Sequence, residues 1–160
     1  MLRYASYDIV FQEIPGEVTL ALNISGCPNR CAGCHSPHLQ DDIGETLNEN
    51  MLVKLLDAYG ASITCICFMG GDAEPPEVLK LAGFARNCGI KAAWYSGRSG
   101  LFEDAEKYFD YIKLGAYIEN LGGLDSPVTN QHLYRIDNGQ MTDITKCFHQ
   151  NIKSTKYINT

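Results

Sequence analysis

Along this chain, short β-like apolar runs alternate with segments whose apolar residues recur at helical spacing. In Val18 to Ile24 (VTLALNI) the side chains of Val18, Leu20, Leu22 and Ile24 share one face, so a strand is expected that runs directly into Ser25-Gly26-Cys27. Asn48 can cap a helix from about Glu49 to Tyr59, with Leu52, Leu55, Leu56 and Tyr59 on one face and Gly60 as its stop. The continuously apolar Ile63 to Met69 (ITCICFM) reads as a central parallel strand covered on both faces and ended by Gly70-Gly71. Pro75-Pro76 open a second helix to about Asn87, closed by Gly89. Lys91 to Ser96 (KAAWYS) and Tyr111 to Leu114 (YIKL) read as further strands, with a weak helix around Phe102 to Tyr108 between them.

Strands alternating with helices imply a parallel sheet, and right-handed crossovers bring the carboxyl ends of its strands to one edge. The expected fold class is therefore α/β: a partial, open (β/α) barrel of parallel strands with outer helices. Beyond Gly115 the pattern weakens. Gly122-Gly123 mark a loop, His132 to Ile136 a short strand and Asn138-Gly139 a turn, so the chain after about residue 139 is expected to be peripheral and the polar tail after His149 frayed.

Composition narrows the picture. A length of 160 residues fits a single domain, and 45% hydrophobic with 20% charged residues is a globular balance. Such a chain buries enough core to stand without metal or disulfides, so a metal found here is expected to be functional. Net charge is -6, from 13 basic and 19 acidic residues without a basic run, which disfavours nucleic acid. No stretch approaches the roughly 20 apolar residues of a membrane helix, and the N-terminal MLRYASYDIVFQEIPGE carries acids where a signal peptide needs an apolar run. No membrane association is expected, and the protein reads as cytoplasmic.

Seven cysteines are an odd number, and three of them fall within eight residues, which suits a metal or cluster better than a disulfide framework. In Cys27-Pro28-Asn29-Arg30-Cys31-Ala32-Gly33-Cys34 the thiols can fold around one centre. They fill three corners of a zinc tetrahedron, with His35 or His38 as the fourth, or three irons of a 4Fe-4S cluster with one iron left open. Spacing alone leaves both readings standing. The loop leaves the carboxyl end of one strand and Gly70-Gly71-Asp72 leaves that of another, and this edge is where open α/β sheets place ligands. Glycines there admit close approach to backbone, and the Asp72 carboxylate suits an ammonium group.

With Cys27, Cys31 and Cys34 as CxxxCxxC and Gly70-Gly71-Asp72 as a GGE-like motif, the chain resembles the radical S-adenosylmethionine (SAM) enzymes. More closely, SGCPNRCAGCHSP, Trp94-Tyr95-Ser96-Gly97 and Ser126-Pro127-Val128-Thr129-Asn130-Gln131 resemble the family of anaerobic ribonucleoside-triphosphate reductase activating proteins, over roughly Ile9 to Ile136. Two segments depart from that family: Ala73 and Glu74 intervene before Pro75, and Lys113-Leu114-Gly115-Ala116-Tyr117 replaces a more usual Asp-Gly-x-Phe.

The resemblance implies that Cys27, Cys31 and Cys34 hold a 4Fe-4S cluster whose open iron chelates SAM. Gly70, Gly71 and Asp72 would hold the methionine ammonium, Ser96 would meet the carboxylate or ribose, and His35 would touch SAM. No catalytic residue beyond these ligands is implied. One-electron reduction then yields a 5'-deoxyadenosyl radical that takes hydrogen from a glycine of a partner, a glycyl radical enzyme, here anaerobic ribonucleoside-triphosphate reductase. The electron would come from a low-potential donor such as flavodoxin or ferredoxin. Two alternatives stand beside this reading: a radical SAM enzyme with a small-molecule substrate, as in modified-purine synthesis, and a non-enzymatic zinc or iron-sulfur binding module.

The remaining candidates read as structural. Cys65 and Cys67 share a face of a buried strand and act as small hydrophobes, while Cys88 and Cys147 lack partners at ligand spacing. His38 caps or bonds locally if a cluster is present. Trp94 and Tyr95 pack the core or the sheet face. Asn130 and Gln131 either order the final loop or contact the partner.

Overall fold

The computed structural model describes residues 1–34 and 36–149. Eight strands form one sheet: β1 (Arg3–Val10), β2 (Thr19–Ile24), β3 (Glu45–Thr46), β4 (Cys65–Met69), β5 (Lys91–Tyr95), β6 (Tyr111–Leu114), β7 (His132–Asp137) and β8 (Gln140–Asp143), in the order β3-β1-β2-β4-β5-β6-β7-β8. The central β2, β4, β5 and β6 are parallel, with Leu22, Phe68, Trp94 and Ile112 in one row. The flanks are antiparallel: β1 with β2 and β3 on one side, β7 with β6 and β8 on the other.

This overturns the expected partial, open (β/α) barrel of parallel strands with outer helices. The sheet is mixed, four of its seven pairings are antiparallel, and its parallel crossovers carry two α-helices, α1 (Glu49–Tyr59) and α2 (Pro75–Asn87). The physical reason lies in the connections. A parallel neighbour needs a crossover back to the opposite edge, usually a helix. After β6 the chain spends its residues on turns at the edge it has reached, with Gly122 bonded back to Ile118 and Thr129 to Ser126, so β7 can only return antiparallel. The weak helix around Phe102 to Tyr108 is likewise reduced to one 3-10 turn, Ala105–Lys107.

Both α-helices start as their sequences dictate. The Asn48 side chain accepts the Met51 N–H at 3.0 Å, and α2 opens on Pro75, whose missing N–H is no loss in a first turn. They cover the same face of the sheet. Leu52 and Leu55 of α1 and Val78, Leu79, Ala82 and Ala85 of α2 join Leu20, Leu22, Ile24, Ile66, Phe68, Trp94 and Ile112 in the main core. Each large aliphatic or aromatic side chain so buried contributes about 1.5–3 kcal/mol. Trp94 stacks on Phe109 at 5.5 Å, and its indole N–H donates to the Gly70 carbonyl at 2.8 Å, so it packs the core as expected.

The opposite face carries a smaller cluster of Ile14, Cys65, Cys67, Ala93, Tyr111 and Leu133, joined by Met69 and Tyr95. Segment 11–17 crosses this face: Ile14 is fully buried in it, and the Tyr95 hydroxyl donates to the Glu13 carbonyl. Cys65 and Cys67 are buried as small hydrophobes. Burial pushes the Cys65 thiol up to about 12 and the Cys67 thiol well above its ordinary value. The Asn138-Gly139 turn joins β7 to β8 with both φ positive (51° and 78°), the geometry of a two-residue type I′ hairpin. The tail after residue 149 lies outside the described residues. Among those described, no helix is long and apolar enough to cross a membrane.

Candidate metal centre

Because β2, β4, β5 and β6 are parallel, the segments that follow them emerge at one edge: the cysteine loop after β2, Gly70-Gly71-Asp72 after β4, Ser96-Gly97 after β5 and Gly115 after β6. The cysteine loop is closed at its base, where Gly26 N–H donates to the Asp41 carbonyl at 3.0 Å and Cys27 N–H to the Leu39 carbonyl at 2.9 Å. Inside it the chain turns tightly. Gly33 has φ 74°, and a Cβ there would stand 3.1 Å from the Glu119 carboxyl group. Arg30 holds a left-handed φ of 45°, a conformation that costs a non-glycine residue on the order of 1 kcal/mol.

Cys27, Cys31 and Cys34 are all half-buried, and together they line a concave cavity of about 90 Å³ with Ile24, Leu39 and Met69. Two protein donors already point at these sulfurs: Ser36 N–H lies 3.4 Å from Cys34 Sγ, and the Asn29 amide 3.7 Å from Cys27 Sγ. Three thiols in an apolar hollow with donors aimed at sulfur are the donor set an iron-sulfur cluster takes. Among the described residues no three His, Cys, Asp or Glu side chains converge on one ion position. A 4Fe-4S cluster assigns each of its thiolates to its own iron. The residues therefore fit the cluster.

Asp72 is the organiser of the edge. Its Oδ1 accepts the Ser96 hydroxyl at 2.6 Å, and its Oδ2 accepts Gly97 N–H at 2.8 Å and the Asn29 amide at 2.7 Å. A carboxylate has about four acceptor positions, so one on Oδ1 stays open to a ligand. Ser96 is fully buried, and its oxygen also accepts Arg98 N–H at 3.1 Å, so it acts on the site through Asp72. Gly71, at φ 93°, is required by its neighbours, because a Cβ would meet Val78 Cγ2 at 2.5 Å.

The structure thus brings together the three cysteines, Gly70, Asp72 and Ser96. His35 lies outside the described residues. His38 is exposed on a 3-10 turn (Pro37–Gln40), where its carbonyl accepts Asp41 N–H. Asn130 and Gln131 order the last loop, donating to the carbonyls of Ala116 and Gly115 at 3.0 and 3.4 Å. Cys88 is exposed and Cys147 half-buried, neither of them among the residues lining the cysteine cavity.

Two residues escaped the sequence reading. Asn29 bridges the loop to Asp72, and nothing in a polar loop residue announces such a contact. Lys113 left one signal, a lone cation inside the strand YIKL. It is 8% exposed, and its ammonium donates to the Gly115 carbonyl at 3.0 Å. Desolvation lowers its pKa, while Asp72, Cys31, Cys67 and Cys27 each favour its charged form.

Residues 15–107 match the model of the 4Fe-4S single cluster domain family, a span that includes the cysteine loop, Gly70-Gly71-Asp72 and Ser96. The match covers more than half of the chain, which therefore belongs to that family. Comparison with curated proteins and with solved structures finds no match.

Proposed function

We propose that this 4Fe-4S protein is a radical SAM activating enzyme that cleaves SAM reductively and generates a glycyl radical on a partner enzyme, anaerobic ribonucleoside-triphosphate reductase. The observation that carries the reading is the Asp72 carboxylate, tied through Asn29 to the cysteine loop and left with one open acceptor position. An electron-transfer module needs no such carboxylate beside its cluster. Cys27, Cys31 and Cys34 hold three irons, and Asp72 takes the ammonium of the methionine part while Ser96 and Gly97 N–H fix its orientation. Gly70 lines the cavity at a φ of 113°, a conformation glycine takes readily. Bound there, cluster and SAM together supply one-electron cleavage of a carbon–sulfur bond and hydrogen-atom abstraction from glycine.

A protein recipient is favoured over a small molecule because the sheet face nearest the site is filled by Ile14, Leu133 and Tyr95. A roomier cavity of about 600 Å³ lies on the other side, between α2 and residues 102–108, and shares no residue with the cysteine hollow. Size is not the criterion here, since that cavity contains no thiol. The reading places the protein in the reducing cytoplasm with a flavodoxin- or ferredoxin-like electron donor.

The test is anaerobic reconstitution with iron and sulfide, reduction, addition of SAM and chromatography of released 5'-deoxyadenosine. Release is expected from the native chain and a fall to background in Cys31→Ala. Undiminished release from the variant would overturn the reading. Mixing the loaded protein with the reductase should then produce a glycyl-radical signal by electron paramagnetic resonance, and its absence alongside active SAM cleavage would remove this partner.

A further inference from the structure

The proposed function leaves Lys113, a buried cation at this edge, unused. It is the penultimate residue of β6, pairs in register with Tyr95, and its ammonium lies 5.7 Å from the centroid of the Tyr95 ring. That ring belongs to the same face as Met69, which also lines the cysteine cavity. Among the described residues the ion pairs involve other cations, and no carboxylate stands within ion-pair distance of Lys113. Taking an ammonium out of water costs on the order of several kcal/mol unless anions compensate it. A carbonyl and a ring face compensate only in part.

The groups that favour its charge are Asp72, the loop cysteines Cys31 and Cys27, and Cys67 of β4. Asp72 supplies one negative charge, held by three hydrogen-bond donors, and Cys67 is held as a neutral thiol by burial. What remains is the loop, which turns strongly negative once its three thiols are deprotonated to bind iron.

We propose that Lys113 is the counter-charge of the cysteine loop, a positioning residue whose fixed ammonium stabilises the more negative, reduced state of the cluster and so raises its reduction potential. The inference rests on the cluster held by Cys27, Cys31 and Cys34. The step is a one-electron reduction by a low-potential donor: one electron is added to the cluster, the donor is oxidised by one, and no bond or proton moves. A cation in a low-dielectric site favours the added negative charge, as hydrogen bonds to sulfur also do.

The experiment compares the reconstituted native chain with Lys113→Met, Lys113→Arg and, as a control, the exposed Lys107→Met. Iron and sulfide content is measured first, then the midpoint potential by redox titration followed by electron paramagnetic resonance, without SAM. Lys113→Met should hold about tenfold less reduced cluster at a fixed potential, a fall of about 59 mV for one electron. Lys113→Arg and Lys107→Met should keep the native midpoint. If Lys113→Met does not retain its cluster, Lys113→Gln, which keeps a donor to Gly115, replaces it with the same expectation. An unchanged midpoint in the uncharged variant, or an equal fall in Lys113→Arg, overturns the inference while leaving the cluster intact. A native chain that takes up no iron overturns the cluster reading and this inference together, and the iron analysis tells the two failures apart.

Discussion

The two edges of the parallel strands treat a lysine in opposite ways. At the amino edge, Lys91 begins β5 with its Nζ 2.6 Å from Glu17 Oε1, and its side chain stays 53% exposed. Glu17 is 7% exposed, and its other oxygen accepts the Thr64 hydroxyl at 2.9 Å, while Thr64 in turn accepts Val18 N–H at 3.0 Å. Every charge there is answered by another protein group. At the carboxyl edge, Lys113 is buried with a carbonyl and a ring, and the three thiols of the cysteine loop are half-buried. The first network is closed within the protein, whereas Lys113 is the cation to which the proposal above assigns a bound cluster as counterpart.

The comparison breaks most visibly through the cysteines. In the metal-free protein at about pH 8, the loop thiols and exposed Cys88 should react with iodoacetamide, while Cys65, with its thiol pushed up to about 12, stays closed. Against an ordinary thiol near 8.5, its thiolate fraction is lower by roughly 10³-fold, and burial restricts access further. Mass spectrometry of the labelled peptides checks this, and early labelling of Cys65 or Cys67 in the folded protein would contradict the buried assignment.

A smaller effect is expected at the amino edge. Glu17→Gln leaves the Lys91 ammonium and the Thr64 hydroxyl without their charged acceptor and should cost about 1–3 kcal/mol in denaturant unfolding. The cluster midpoint should not move, because the network is closed on itself. A shifted midpoint would dissolve the contrast between the edges.

The smallest effect is a pH dependence. The hydrogen bond that Lys91 donates to Glu17 raises the Lys91 pKa above its unfolded value, so the pair's stabilisation is fully present below about 10.4 and is lost as pH rises through the folded value. Melting temperature should therefore decline faster above about pH 10.4 in the native chain than in Lys91→Met. Parallel declines would show that the pair contributes nothing, as is common for half-exposed ion pairs.

Legibility in the sequence followed the strength of each local pattern. The alternation of Val18, Leu20, Leu22 and Ile24, the apolar run ITCICFM, the Asn48 cap and Pro75-Pro76 each write a period or a boundary that packing then uses. Strand β1 (RYASYDIV) escaped because only Tyr4 in it is buried, so its burial pattern barely alternates. Two-residue β3 carries no period at all. The cysteine spacing and Gly70-Gly71-Asp72 were legible as a pair, since both stand just past strand ends. Nothing local reveals that Ser96 bonds Asp72 across 24 positions, or that Asn29 reaches it across 43.

By itself, then, the sequence determined the helices, the parallel centre of the sheet and the thiols available at one edge. Periodicity and turn chemistry act over a few residues, and those features need nothing longer. Strand direction on the two flanks was decided by where connecting loops end, and the burial of Lys113 by what β5 and the last loop place around it. Those outcomes depend on contacts between segments far apart in the chain. Only the assembled sheet fixes which charges meet a partner.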